Sequence, residues 1–230
     1  MIEQINQTQE FDSFAANYQD LHNASIKMSG ESSEYFAAYK AKFIARNIAA
    51  QPTCKILDYG CGVGMVCSEL KKHIPAARVD GFDVSRVSLD QIDPALRTQG
   101  IFTSSTADLD HDYDTIVMAN VLHHIEPEAR QATVSEAVGL LSRGGSLVVF
   151  EHNPANPLTR RAIKQCAFDE NAILLPPRES KGYFAAGGLI GISLHYIVFF
   201  PRALKWFRPL EDILRWCPAG AQYALIGRRP

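Results

Sequence analysis

The sequence predicts an α/β protein built on a doubly wound, mostly parallel sheet with a helical extension ahead of it. Apolar runs alternate with helical patterns along the chain, the order required by a sheet covered with helices on both faces. Three glycines fall within five residues directly after the first apolar run, in Asp58-Tyr-Gly-Cys-Gly-Val-Gly64. Glycine there lets the backbone turn sharply and approach a ligand without Cβ interference.

The elements follow in order. Residues 1–50 are helical in pattern, with Phe11, Phe14 and Tyr18 at helical spacing and then Tyr35, Phe36, Tyr39, Phe43 and Ile44. Ile56 and Leu57 read as a buried strand with Asp58 at its carboxyl end, and the helix over 65–73 aims its N-terminal amides at the same spot. Residues 78–85 form a second strand ending in Asp83, with Ser85 placed to cap the next helix. Strands are expected over 101–105, 114–119 and 146–150. A helix over 128–142 ends at Gly144-Gly145, which launches the fifth strand. A helix around 158–166 and two more strands, 195–200 and 222–227, complete the pattern. The whole is organised as an extension over 1–50 and a binding domain over 51–230.

The order of acid and glycines selects the ligand class. A dinucleotide site needs a small third residue so that a pyrophosphate can rest on the helix, yet here the third slot is Met65, and Asp58 would face the phosphates. A cationic ligand fits better. Asp83 can accept two hydroxyl hydrogen bonds from a ribose diol, which suits either ligand class.

The glycine turn resembles motif I of the class I S-adenosylmethionine (SAM) methyltransferases. The resemblance covers residues 50–152 well and the C-terminal strands loosely. It implies a seven-stranded Rossmann-like sheet whose C-terminal strand is antiparallel, with SAM as cofactor and S-adenosylhomocysteine as product. It further implies that Asp58 holds the methionine amino group while Gly60, Gly62 and Gly64 pass close to the ligand and Asp83 meets the ribose. Tyr59, Cys61, Val84 and Ser85 share those two turns as cofactor contacts. Adenine is expected between the loops after strands three and four. The family's usual Gly-Asp-Ala is missing there, which leaves Ala107 or Asp108 for that contact, and Asn120 for the cofactor or the passage to substrate.

Two clusters stand where chemistry is expected, beyond strands four and five. The first, Asn120-Val-Leu-His-His-Ile-Glu126, is similar to a segment of ubiquinone-biosynthesis-like and other small-molecule methyltransferases. The second is Glu151-His-Asn-Pro-Ala-Asn-Pro157. Histidine can take a hydroxyl proton at neutral pH, so His124 is the favoured base, with His123, His152 and Glu151 as further candidates. Adjacent helical residues diverge by about 100°, so one of His123 and His124 is expected to face the cleft. Residues 152–190, interrupted by Pro154, Pro157, Pro176 and Pro177, read as a substrate-specificity insertion. Tyr18 and Tyr35, from the N-terminal helical lid over 1–50, and Asn153 are the candidate substrate contacts.

Composition bounds the partners. With 230 residues, 47% of them hydrophobic, and a formal charge of −2, the chain has core enough and no overall footprint for nucleic acid. Arg160, Arg161 and Lys164 read as a solvated face. The five cysteines lack paired metal-ligand spacing and read as reduced thiols; no metal is expected. No run reaches about 18 apolar residues and the N-terminus is polar, so a soluble, cytoplasmic protein without stable membrane insertion is expected, with a homodimer possible. Residues 204–216 interleave aromatic and basic side chains, as at a membrane surface, but Pro209, Glu211 and Asp212 favour packing between the last two strands.

The reading is a SAM-dependent methyltransferase acting on a small-molecule hydroxyl. Transfer to nitrogen or carbon of a small metabolite, sugar or lipid-linked precursor stays open, as does a non-catalytic SAM-binding module. An RNA or protein methyltransferase would be expected to show a target-reading motif or a basic appended domain.

Overall fold

The computed structural model describes residues 26, 29–48, 54–166 and 172–230. Tyr18, Phe11, Phe14 and residues 167–171 lie outside the described residues. Helix α1 (Ser33–Asn47) precedes β1 (Lys55–Tyr59), α2 (Met65–His73) and β2 (Arg78–Phe82). Short helices α3 (Arg86–Asp90) and α4 (Pro94–Arg97) lead to β3 (Phe102–Thr103) and β4 (Tyr113–Ala119). Then come α5 (Pro127–Leu140), β5 (Leu141–His152), α6 (Pro157–Ile163), α7 (Pro177–Ala186), β6 (Ile190–Ile197), α8 (Glu211–Leu214) and β7 (Gln222–Arg228).

The seven strands form one sheet in the order β3-β2-β1-β4-β5-β7-β6. All neighbours run parallel except β7, which is antiparallel to both β5 and β6. The chain leaves β1 toward β2 on one side and later returns to place β4 on the other, so a crevice opens at the carboxyl ends of β1 and β4. Strand alternation splits the core in two. Ile56, Val79, Val117, Val148 and Phe150 pack with α1 and α2, and Phe43 of α1 meets the Phe150 ring at 5.5 Å. Leu57, Ile116, Met118, Leu147 and Val149 pack on the opposite face with Val134, Ala137 and Val138 of α5 and Phe184 of α7. Burial on both faces explains why these strands read as continuous apolar runs.

Several boundaries differ from the sequence expectation. β3 pairs over two residues only, and α5 stops at Leu140, because Leu141 already pairs with Tyr113 and Gly144 (φ 79°) lies within an irregular start of β5. β6 begins at Ile190 rather than 195, carrying Gly191 (φ 62°) across a register shift, and ends where Val198 turns to φ 59°. Gly191 thus stands at a bulge inside an edge strand. The expected packing of residues 204–216 between the last strands is also corrected: Trp206 and Trp216 are 75% and 76% exposed.

One buried cation ties Ile173 and Glu179 to α5. Arg130 of α5 donates to the Ile125 carbonyl (2.8 Å), the Ile173 carbonyl (2.7 Å) and Glu179 Oε1 (2.8 Å). Ile173 N donates in turn to the His123 carbonyl at 2.8 Å. Arg130→Ala strips three carbonyl and carboxylate acceptors of their donor and is expected to cost about 3 kcal/mol in urea denaturation. An unchanged midpoint would show that Ile173 and Glu179 are anchored elsewhere.

Candidate active site

The crevice is built first from the glycine turn. Gly60, Gly62 and Gly64 have φ of 85°, 51° and 79°, values that side-chain-bearing residues rarely adopt. A Cβ on Gly60 would stand 2.5 Å from Val121 Cγ2, so the loop after β1 lies hard against the loop after β4. A Cβ on Gly62 would meet nothing within 4 Å, so the turn opens there onto space. Gly62 N donates to Asp83 Oδ2 at 2.7 Å and Ser85 N to Asp83 Oδ1 at 2.9 Å, which ties the tips of β1 and β2 together. Ser85 caps α3 by accepting from Ser88 N, which frees Asp83 from that duty.

Asp58 is 1% exposed at the end of β1. Its Oδ2 accepts from the Cys67 thiol at 3.3 Å, while Oδ1 is buried without a hydrogen-bond partner. Burial pushes its pKa up to about 7, opposed by the Cys67 hydrogen bond and raised further by Asp83. Asn120 stands beyond β4 in the left-handed region at φ 61°, and its Oδ1 is likewise buried and unsatisfied. Two orphaned acceptors beside an open glycine turn fit a ligand carrying N–H donors and positive charge.

Lys40 of α1, which the sequence analysis missed, is 5% exposed. Burial lowers its pKa to about 8, against the raising effect of Glu151 and, to a smaller degree, Asp58. The signal was present: Lys40 lies four residues after Phe36 and four before Ile44, on the buried stripe of the helix.

The second cluster gathers at the tips of β4 and β5. Glu151 is 0% exposed; its Oε1 accepts from Leu122 N (2.8 Å) and its Oε2 from His123 Nδ1 (2.5 Å). The carboxylate thereby holds the 3-10 turn Leu122–His124 and fixes the donor role of His123 Nδ1. The rings of His124 and His152 lie 4.1 and 5.1 Å from that of His123. The expected divergence of the adjacent histidines is therefore corrected: on this tight turn the two rings converge. His123 is buried, while His124 and His152 are partly exposed. Among the described residues no group of three or more His, Cys, Asp or Glu side chains could hold a metal ion.

Other candidates have structural duties. Tyr59 points to the far face of the sheet, stacks on Phe82 at 4.6 Å and donates to Glu136 Oε2. Cys61 is buried in the α1/α2 layer, and Val84 is exposed. Ala107 and Asp108 form an exposed 3-10 turn, with Asp108 accepting from Thr103 Oγ1. Tyr35 lies under the Arg208 guanidinium at 4.4 Å, within the C-terminal face. Asn153, read as a substrate contact, instead donates to the carbonyls of Pro218 (2.9 Å) and Gly220 (2.8 Å) and accepts from Ala155 N. Asn156 caps α6 and donates to Ala219 O, so the two asparagines of the Glu-His-Asn-Pro segment clamp the loop ahead of β7.

Residues 57–147 match the family described as Methyltransferase domain. Ribosomal RNA small subunit methyltransferase C of Klebsiella pneumoniae is 31% identical over 101 residues, 40% of this chain and 30% of that protein. The chain spans about a third of the length of the curated relatives it matches. Among solved structures, a SAM-dependent methyltransferase of Thermotoga maritima superposes with a TM-score of 0.68 at 16% identity, covering 97% of this chain and 100% of that one. An O-methyltransferase family protein of Burkholderia thailandensis gives 0.62 at 14%, covering 95% and 59%. Those likenesses speak for the fold. Residues 57–147 thus match a methyltransferase domain, and the sheet around them has the fold of the SAM-dependent methyltransferases.

The raised Asp58 pKa has a testable sign. A carboxyl whose folded pKa (about 7) lies above its ordinary 3.8 takes up a proton on folding, so its contribution is most favourable below about pH 4 and is lost as pH rises to about 7. Asp58→Asn should therefore be more stable than the native chain at pH 8, by on the order of a few kcal/mol, and nearly equal to it below about pH 4. Urea melts at the two pH values check this; equal stability at pH 8 would contradict the uncompensated burial.

Proposed function

We propose that the protein transfers a methyl group from SAM to a hydroxyl of a small-molecule acceptor, with the histidine cluster serving as base. The observation that carries the reading is the buried Glu151–His123 pair, with His124 against it, at strand tips adjoining the Asp58 turn. When bound, SAM supplies an electrophilic methyl group on a sulfonium that leaves as a neutral thioether. The chain has to hold cofactor and acceptor in line and receive one proton.

Asp58 and Asn120 offer their unsatisfied oxygens to the amino group of the methionine moiety, and Lys40 offers its charge to the carboxylate. Asp83, at the tip of β2, is the contact for the ribose hydroxyls, and Gly62 provides close backbone approach. His124, partly exposed above the buried His123, takes the acceptor proton at an imidazole nitrogen as the oxygen–methyl bond forms. Glu151 holds His123, and through it the attitude of His124. In this reading Glu151 and His123 are positioning residues. Residues 172–176, joined to the His123 carbonyl through Ile173 N, border the acceptor side.

Calorimetry with SAM, S-adenosylhomocysteine and NAD in parallel tests the cofactor: the two sulfur ligands should bind, and binding of NAD alone would overturn the reading. His124→Ala should abolish turnover of a hydroxyl acceptor with SAM affinity nearly intact, whereas Asp83→Ala should weaken SAM binding by on the order of 1–3 kcal/mol. Normal turnover by His124→Ala would move the base elsewhere.

A further inference from the structure

The segment after β6 has two faces. Residues Arg202–Leu210 form a 3-10 helix, kinked at Leu204, that runs into α8. A 3-10 helix has about three residues per turn, so every third residue shares a face. Leu204, Phe207, Leu210, Ile213 and Trp216 recur at that interval, and all are exposed, Ile213 by 68%; Trp206 adds its indole beside them. Arg208, Glu211 and Leu214 recur at the same interval on the inner side. Glu211 is buried and accepts from Tyr39 OH (2.7 Å) and from the backbone amides of Phe199 and Phe200. Arg208 donates to Glu31 Oε1 at 2.6 Å. The outer row is therefore held out by a polar lock on the inner one.

Charge decides what the outer row suits. The acids that weaken a basic reading of this stretch are both neutralised or hidden. Glu211 faces inward, and Asp212 pairs with Arg215 at 2.5 Å and Arg46 at 3.8 Å. Arg202 and Lys205 stay exposed and have no ion pair among the described residues. Lys205 Nζ lies 5.3 Å from the centre of the Trp206 ring. Tryptophan beside aliphatic side chains, rimmed by lysine and arginine, matches the boundary layer of an anionic bilayer, where indoles sit at headgroup depth and basic side chains meet lipid phosphates. Among the described residues no helix is long and apolar enough to cross a membrane, so contact would be at the surface.

We propose that residues 202–216 dock the protein peripherally on an anionic lipid bilayer. The dock is fixed to the cofactor-side helix: Tyr39, which donates to Glu211, directly precedes Lys40 on α1. Docking does not depend on the catalytic reading and can be measured without turnover.

Flotation of the full chain with phosphatidylglycerol–phosphatidylcholine vesicles tests it, with phosphatidylcholine vesicles alone in parallel. The native chain should float with the anionic vesicles and less with the neutral ones. Arg202→Ala and Lys205→Ala should each weaken partition onto anionic vesicles by about fivefold. Trp206→Glu with Trp216→Glu should abolish it while SAM binding by calorimetry is unchanged, which separates loss of docking from loss of the cofactor site. No flotation of the native chain would overturn the proposal. So would a dimer in sedimentation that the tryptophan double variant dissociates, since the face would then meet a second copy.

Discussion

The constraint on which the site depends is the removal of charge from water. Asp58 and Glu151 stand near the carboxyl ends of β1 and β5, on either side of β4, at about full burial, and an isolated carboxylate in such a place costs several kcal/mol unless an opposite charge or donor meets it. Much of the surrounding architecture answers that demand. Glu151 is met by a backbone amide and an imidazole, which fixes the turn after β4. Asp58 is met only in part, by a thiol, and it moves toward protonation instead. Lys40, whose pKa burial lowers to about 8, brings α1 over both. Helix α1 thus becomes part of the electrostatics of the crevice.

The fold was legible where local rules and sheet topology agree. Asp58, the three glycines and Asp83 declare themselves because a turn of positive φ tolerates few residues, and because parallel strands buried on both faces leave unmistakable apolar runs. The site was legible as strand tips rather than as geometry. Sequence placed Glu151 and the three histidines in two loops; that Glu151 buttons His123, and that the two adjacent imidazoles converge, depends on a 3-10 turn that a helical angle does not describe.

What stayed hidden had physical reasons. Lys40 was lost because a lysine inside an apolar stripe reads as an interruption of the pattern. β6 was started too late because the register shift between Ile190 and Ser193, with Gly191 at φ 62°, interrupts its strand pattern. Residues 204–216 were read as core because Pro209, Glu211 and Asp212 weakened a surface reading; Glu211 instead turns inward and the apolar side chains line the outside. Asn153 looked chemical because it follows a strand tip, and Asn156 lies in the same segment. They are a clamp on the 218–221 loop, a use that becomes visible only when the antiparallel β7 arrives from the far end of the chain.

The closeness of Gly60 to Val121 reaches beyond either loop. Position 60 is vacant of a side chain so that position 121 can carry a branched one, and the two residues divide a single volume across the gap between β1 and β4. Substitution at 60 is blocked twice, by the branched neighbour and by a φ of 85°, so trimming Val121 alone does not open position 60 to a side chain. The spacing of the two loops, one at the glycine turn and one beginning the histidine cluster, is thus set by a side chain that is missing.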